Sequence, residues 1–345
     1  MRRPIKTPGG MVRPGPSRSL TSRPAKKISV SVIGAGRLGT ALGLALRAIG
    51  YTIEVVTARR PTAARRAAKA FGPRTLALAA AQFKALSPAQ HDRLSRSSLI
   101  LIATPDDVIA PVAGQLSEIF MAERVRPRNA GGTAATQRVV LHTSGALASD
   151  VLEPMRSAGF AIGSLHPLVS ISESRSGAKL LRHAFVSIEG DPAAVKVGKS
   201  IVKDLGGESF TVDSRQKALY HAAALTASPN MTALFDIAVE MLVNCGLSAQ
   251  RARRILLPLV ESTVANLATQ DPARALTGTF KRGDKLTVRK HLAALQAANL
   301  PQALTAYVVL GQRSISMARK LSANPAGLDE IARILAGAAP KPRRR

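Results

Sequence analysis

Lys217 and His221 stand four residues apart, a spacing that stacks two side chains one turn apart on the same face of a helix, with Ser228 farther along the stripe. A lysine beside a partly apolar, closed site has its pKa drawn toward neutrality, which suits it to give or take a proton. The plainer alternative is an exposed first-turn lysine next to a core histidine satisfied by a backbone carbonyl. His166, in Gly163-Ser164-Leu165-His166-Pro167-Leu168, ends an apolar run and is the third proton-handling candidate, or else a pin for the loop it begins. Ser144 and Gly145 follow another such run and offer a hydroxyl and a backbone donor to a substrate, whereas His142 reads as structural. Arg282 lies in Thr277-Gly278-Thr279-Phe280-Lys281-Arg282-Gly283-Asp284, expected as a turn between helices. Its guanidinium is a fork that suits an anion, or it is solvated loop charge. No His and carboxylate set has zincin or deaminase spacing, so no metal is expected.

A second group of residues points to a nucleotide. Gly34-Ala35-Gly36-Arg37-Leu38-Gly39 follows the β-branched run Ile28–Ile33 and precedes apolar positions at helical spacing, Leu38, Leu42, Ala45, Leu46 and Ile49, up to Gly50. In strand, turn, helix order, the first glycine permits the tight turn and the second lets backbone approach a pyrophosphate. The third lets helix and strand pack closely. The phosphates then meet a positive helix N-terminus. The next strand, Thr52–Thr57, runs into Arg59 and Arg60, where a site for NAD would carry an acid for the ribose 2′-hydroxyl. Two guanidiniums favour a 2′-phosphate, so NADP is expected, the alternative being an exposed helix start shared with Arg65 and Arg66. Glu54 lies inside the strand and should face away from the turn.

These residues need a scaffold. Ser98–Ala103 is almost continuously apolar, as for a strand buried on both faces, and ends in Thr104-Pro105-Asp106-Asp107. Val139–Leu141 ends in His142-Thr143-Ser144-Gly145, and Phe160–Leu165 ends in His166. Ala184–Ile188 and Ser209–Val212 flank a helix over Pro192–Leu205. Polar clusters thus gather at the carboxyl ends of strands, where ligands bind in open α/β sheets, and Thr104 and Pro105 join the cofactor contacts. From Ser214 the pattern is helical, with a kink expected at Pro229, a stop at Gly246, and helix starts at Ser248, Asp271, Thr287 and Asn324. Ser87-Pro88 and 129–137 read as surface loops. The expected fold is α/β: a Rossmann-type, mostly parallel sheet over 28–213, then an all-helical domain over 214–335, between basic tails at 1–27 and 336–345.

The 345 residues suffice for about two domains. Hydrophobic residues at 46% and charged ones at 20% exclude a wholly disordered or collagen-like chain. Of the net charge of +28, residues 1–27 hold eight basic side chains and no acid, and Lys341, Arg343, Arg344 and Arg345 add four more. The body of the chain has three Tyr and no Trp, little surface for stacking bases, so the charge reads as solvated surface and tails without a specific nucleic-acid partner. An acid-free, Arg-rich leader also fits a transit peptide, the disordered tail being preferred. The single cysteine, Cys245, excludes an internal disulfide and points to a reducing cytoplasm. No run of about 18 apolar residues predicts a membrane span.

The succession GAGRLG, ATPDD, HTSGAL, GSLHPL, KALYHAAA and ALTGTFKRGD resembles a family that joins a Rossmann-like NADP-binding domain to a helical domain of unknown function. More distantly the chain is similar to the 6-phosphogluconate dehydrogenase, β-hydroxyacid dehydrogenase, pyrroline-5-carboxylate reductase and prephenate dehydrogenase superfamily. The resemblance implies a 6-phosphogluconate dehydrogenase-like second domain that commonly mediates homodimerisation and closes over the nicotinamide. It also implies an NADP-dependent dehydrogenase or reductase acting on a small, anionic hydroxy or keto substrate in an interdomain cleft. The β-hydroxyacid dehydrogenases carry a lysine four residues before an asparagine. Here His221 takes the second place, which leaves the proton role open between Lys217 and His221. The GSLHPL stretch resembles G-x-H-P-M of prephenate dehydrogenase, whose histidine bonds the hydroxyl being oxidised, with Leu168 in place of the methionine. An imine reductase of pyrroline-5-carboxylate reductase type and a non-enzymatic NADP-binding sensor are the alternatives.

Overall fold

A computed structural model describes residues 28–124, 137–321 and 325–338. Among these residues eight strands form one sheet: β1 (Ser29–Ile33), β2 (Thr52–Ala58), β3 (Leu76–Ala79), β4 (Leu99–Ile102), β5 (Val139–His142), β6 (Ala161–Pro167), β7 (Phe185–Gly190) and β8 (Glu208–Phe210). Their order is β3-β2-β1-β4-β5-β6-β7-β8, parallel throughout except for the β6–β7 pair. The first six follow the doubly wound order, which reverses between β1 and β4 and opens a crevice beyond their carboxyl ends. The expected α/β class is what the chain adopts. Strand β3 was not anticipated: Leu-Ala-Leu-Ala lacks β-branched residues, and it holds the sheet edge by pairing Leu76 with Val55.

Alternation along the strands builds two cores. Val30, Val32, Leu99 and Leu101 face one side with Leu42, Ala45 and Leu46 of α1 (Arg37–Ala48), Phe71 of α2 (Pro61–Phe71) and a later helix over Pro192–Asp204. Ile33, Ile100 and Ile102 face the other with Leu94 of α3 (Pro88–Ser95), Leu116 and Phe120 of α4 (Asp106–Arg124) and Met155 of α5 (Glu153–Ser157). Burying each such side chain contributes about 1.5–3 kcal/mol, which is why a parallel sheet reads as unbroken apolar runs. Helices α6 (Ser174–Leu180) and α7 (Pro192–Asp204) complete the α/β part. Ser87-Pro88, expected in a loop, instead starts α3: Ser87 Oγ accepts from Gln90 N at 3.3 Å and proline takes the first helical position.

The molecule divides into two compact units, one ending at His221 and one beginning at Ala222, a division that falls inside α8 (Lys217–Ala227). The second unit continues with α9 (Pro229–Asn244), α10 (Ala249–Thr269), α11 (Pro272–Ala275), α12 (Thr279–Arg282), α13 (Lys285–Ala297), α14 (Pro301–Ala318) and α15 (Pro325–Ala338). Pro229 does not kink one long helix. Ser228, at φ −126° and ψ −72°, ends α8, and Pro229 opens α9 where its missing donor costs nothing. The cap expected at Thr287 lies three residues earlier, at Asp284, whose carboxylate accepts from Thr287 N at 3.1 Å. Asn324 and the loop over 129–136 lie outside the described residues. Helix α15 runs to Ala338, three residues into the expected tail, because Leu335 is fully buried and Ala338 packs on the same cluster. Among the described residues no helix is long and apolar enough to cross a membrane.

Candidate active site

At the order reversal of the sheet, the turn from β1 into α1 is shaped by two glycines and left open by a third. Gly34 has φ +106°, and a Cβ there would lie 2.6 Å from the carbonyl oxygen of Ala103. A Cβ at Gly39 would lie 2.0 Å from Gly34 O, so the helix seats directly on the loop. A Cβ at Gly36 would meet no atom of the described residues within 4 Å. Gly36 also caps α1 without a side-chain hydrogen bond, and the first turn holds no acid, so the amides of Arg37, Leu38 and Gly39 face outward without a capping side chain. Thr104, whose backbone borders the loop, has a buried hydroxyl with no hydrogen-bond partner among the described residues. Arg59 and Arg60 are exposed beyond β2. An uncapped helix start, room at Gly36, an orphan hydroxyl and two exposed guanidiniums fit a dinucleotide bearing an extra phosphate.

Farther along the same edge, a transverse row of the sheet changes character. Register places Ile33, Ile102, His142, Ser164 and Glu189 side by side, apolar over β1 and β4 and polar over β5 to β7. The next row on that face holds His166, Ser187 and Phe210. The start of α8 lies over both rows. Its four-residue step spans about 6 Å and the two-residue step along β6 about 6.6 Å, so Lys217 meets Ser164 while His221 meets His166.

Lys217 is 1% exposed. Its Nζ donates to Ser164 Oγ and to Ser144 O at 3.4 Å, and lies 3.5 Å from Glu189 Oε1. Glu189 Oε2 in turn accepts from Ser149 Oγ at 2.8 Å. Above this layer His166 and His221, both half-buried, stand edge to face with centroids 5.6 Å apart. A Cβ at Gly145 would be 2.6 Å from His221 Cδ2 and 2.8 Å from His166 Nε2, so glycine is what lets the two rings close over that backbone. His166 Nδ1 is 2.7 Å from the hydroxyl of Tyr220.

Burial, with the charges of His221 and Lys217 adding to it, holds His166 down at about 4. Burial and the charge of Lys217 hold His142 down at about 3. Both imidazoles are neutral at pH 7. Lys217 is drawn below its usual range by burial, against the pull of Glu189 and Asp106. His142 is structural: Nδ1 accepts from Ser144 N at 3.2 Å, so Nε2 carries the proton and donates to Ala148 O at 3.1 Å.

The residues singled out from sequence divide accordingly. Lys217, His221, His166 and Gly145 come together. Lys217 is buried rather than an exposed first-turn residue. Ser144 is adjacent, but its hydroxyl donates to Asp106 Oδ2 at 2.9 Å and accepts from the amides of Ala146 and Leu147, which ties the loop and leaves no free donor. Arg282 belongs to the second unit, exposed at the end of α12 rather than in a turn, followed by Gly283 in the left-handed region at φ 70°. Sequence reading missed Glu189, Ser164 and Tyr220. Tyr220 sits inside the KALYHAAA motif three residues after Lys217, a helical spacing that placed it near the same face. Glu189 had no such signal, because only strand register brings it beside Ser164.

Residues 12–167 match the model of a Rossmann-like domain, and residues 184–314 match that of a domain of unknown function, DUF2520. No curated protein matches the chain. Among solved structures, a Bacteroides fragilis protein described as an NADP oxidoreductase is similar at 21% identity and TM-score 0.64, over 84% of this chain and 98% of that one. A reductive aminase from Aspergillus terreus, solved with NADPH and ethyl levulinate, is similar at 16% identity and TM-score 0.56, over 89% and 99%. A pyrroline carboxylate reductase from Plasmodium falciparum, with NADP bound, is similar at 13% identity and TM-score 0.51, over 85% and 99%.

Proposed function

Proceeding from a chain in which a Rossmann-like domain is followed by DUF2520, we propose that it is an NADP-dependent oxidoreductase acting on a small, anionic hydroxy or keto substrate. The observation that carries this reading is the uncapped first turn of α1, with open space at Gly36 and the partnerless Thr104 hydroxyl beside it. Gly34, Gly36, Arg37, Leu38 and Gly39 would hold the diphosphate, Arg59 and Arg60 the 2′-phosphate, and Thr104 and Pro105 the part beyond β4. When bound, the nicotinamide supplies or accepts hydride. His166 and His221, the half-buried pair, would contact the substrate oxygen and handle its proton, with the Gly145 amide as a further donor. Lys217, wholly buried, would act from beneath through its charge.

An imine-to-amine couple is the second reading, supported by the names of the reductive aminase and the pyrroline carboxylate reductase. The second unit supports a homodimer. Helix α10 buries only Ala252 along 21 residues and exposes Ile255, Leu257, Leu259, Val264 and Leu267, more apolar surface than a lone helix face keeps in water. Sedimentation equilibrium tests the dimer, and a monomer at micromolar concentration overturns it.

The enzyme is tested by calorimetric titration with NADPH and NADH, then by nicotinamide absorbance, with keto acids and cyclic imines offered beside NADPH and hydroxy acids beside NADP+. Tight NADPH binding and turnover with a keto or hydroxy acid are expected. Turnover with imines alone selects the second reading, binding without any turnover points to a sensor, and no binding of either nucleotide sinks all three.

A further inference from the structure

The proposed reaction leaves one contact of His166 unused. Tyr220 lies three residues after Lys217 and one before His221 on α8, and its ring is clamped between two aromatic partners. It stands at 90° to His166 with centroids 5.6 Å apart, and at 70° to Phe210 at 5.9 Å. His166 and Phe210 belong to one row of the sheet with the small, buried Ser187 between them, so the phenol ring bridges over Ser187.

We infer that Tyr220 is a positioning residue of the proposed site, whose hydroxyl donates to His166 Nδ1 and so presents His166 Nε2 as a hydrogen-bond donor to the substrate. A neutral imidazole carries a single proton, and the hydrogen bond at one nitrogen decides the tautomer at the other. The phenol keeps its proton, since burial raises its pKa, and its oxygen lies 2.7 Å from Nδ1, the nitrogen to which the inference assigns the O–H. With the O–H donated to Nδ1, the proton of His166 rests on Nε2, at the edge that borders Gly145. A donor there favours negative charge growing on a carbonyl oxygen or a lone pair on an imine nitrogen, so the site is poised for reduction. The opposite tautomer would present a lone pair suited to taking a proton from an alcohol. This direction rests on the oxidoreductase reading, but the tautomer itself does not.

The test is two-bond nitrogen–proton NMR of the imidazoles in the nitrogen-15-labelled full chain, with His166 assigned by its loss in His166→Gln. The expected spectrum of the unsubstituted protein near pH 7 shows His166 protonated on Nε2 alone. In Tyr220→Phe, which keeps the ring packing, His166 becomes a mixture of tautomers, and kcat for the reductive direction falls on the order of tenfold or more with KM little changed. A His166 protonated on Nδ1 in the unsubstituted protein overturns the inference, as does an unchanged tautomer in a folded Tyr220→Phe. Should that variant not fold, the unsubstituted spectrum still decides. Absence of NADPH binding defeats the proposed function while leaving this readout intact.

Discussion

Lys217 and Glu189 form an ion pair at 3.5 Å with 1% and 9% of their side chains exposed, joining the first residue of α8 to a strand 28 positions earlier in the chain. Two charges out of water tolerate each other only as a pair, so the pair ties α8 to the sheet end that carries the histidines.

Removing one partner should therefore cost more than removing both. Glu189→Leu or Lys217→Met alone is expected to lose about 3–5 kcal/mol in denaturant titration, because a buried charge is stranded. The double variant should recover most of that loss. Additive losses would show that the two side chains do not depend on each other.

Acid should unfold the protein earlier than its carboxylates require. His142 at about 3 and His166 at about 4 lie below the 6.5 of an unfolded histidine, so the unfolded chain binds more protons between those limits. The stabilisation is fully present above pH 6.5 and is lost as pH falls through this window, by up to about 1.4 kcal/mol per pH unit for each group. Melting temperature should drop between pH 7 and 5, with a shallower slope in His166→Gln. A flat profile would contradict the neutral state of both imidazoles.

Gly145→Ala separates architecture from stability. The added methyl has nowhere to go but between His166 and His221, so the rings must part. A misplacement of this size should lower kcat on the order of 100-fold, with NADPH binding unchanged by calorimetry. Full activity would mean that the pair does no chemistry.

The three glycines of the α1 turn should respond differently. Gly34→Ala and Gly39→Ala place a methyl 2.6 and 2.0 Å from carbonyl oxygens and should lower the melting temperature. Gly36→Ala meets no protein atom and should leave stability untouched while weakening NADPH binding. Alanine at both Arg59 and Arg60 should cost NADPH about 10- to 100-fold in affinity and leave NADH nearly unaffected. A Gly36→Ala protein that binds NADPH normally would place the diphosphate elsewhere.

Much of the scaffold was legible because local order is written in local spacing. Val30, Val32, Leu99 and Leu101 alternate with Ile33, Ile100 and Ile102 in the plain sequence, and the glycines of GAGRLG mark where strand gives way to helix. Short or weakly patterned pieces escaped: β3, made of leucine and alanine, and α3, whose Ser87-Pro88 start looks like a loop until its cap is seen. The break at Ser228 was misplaced as a kink because proline marks an interruption without saying whether the helix bends or restarts.

For the site, one-dimensional spacing was enough to put Lys217 and His221 on one face of a helix, and strand ends were enough to nominate His166, Ser144 and Gly145. Which of these touch, and which are spent on each other, depended on register across four strands and on where α8 lies over them. Ser144 turned out to hold its own loop, Lys217 to be sealed against Glu189, and Tyr220 to grip His166. Those contacts join residues 54 to 73 positions apart for His166–Tyr220 and Ser144–Lys217, and chain spacing carries no information about partners brought together only when a sheet assembles.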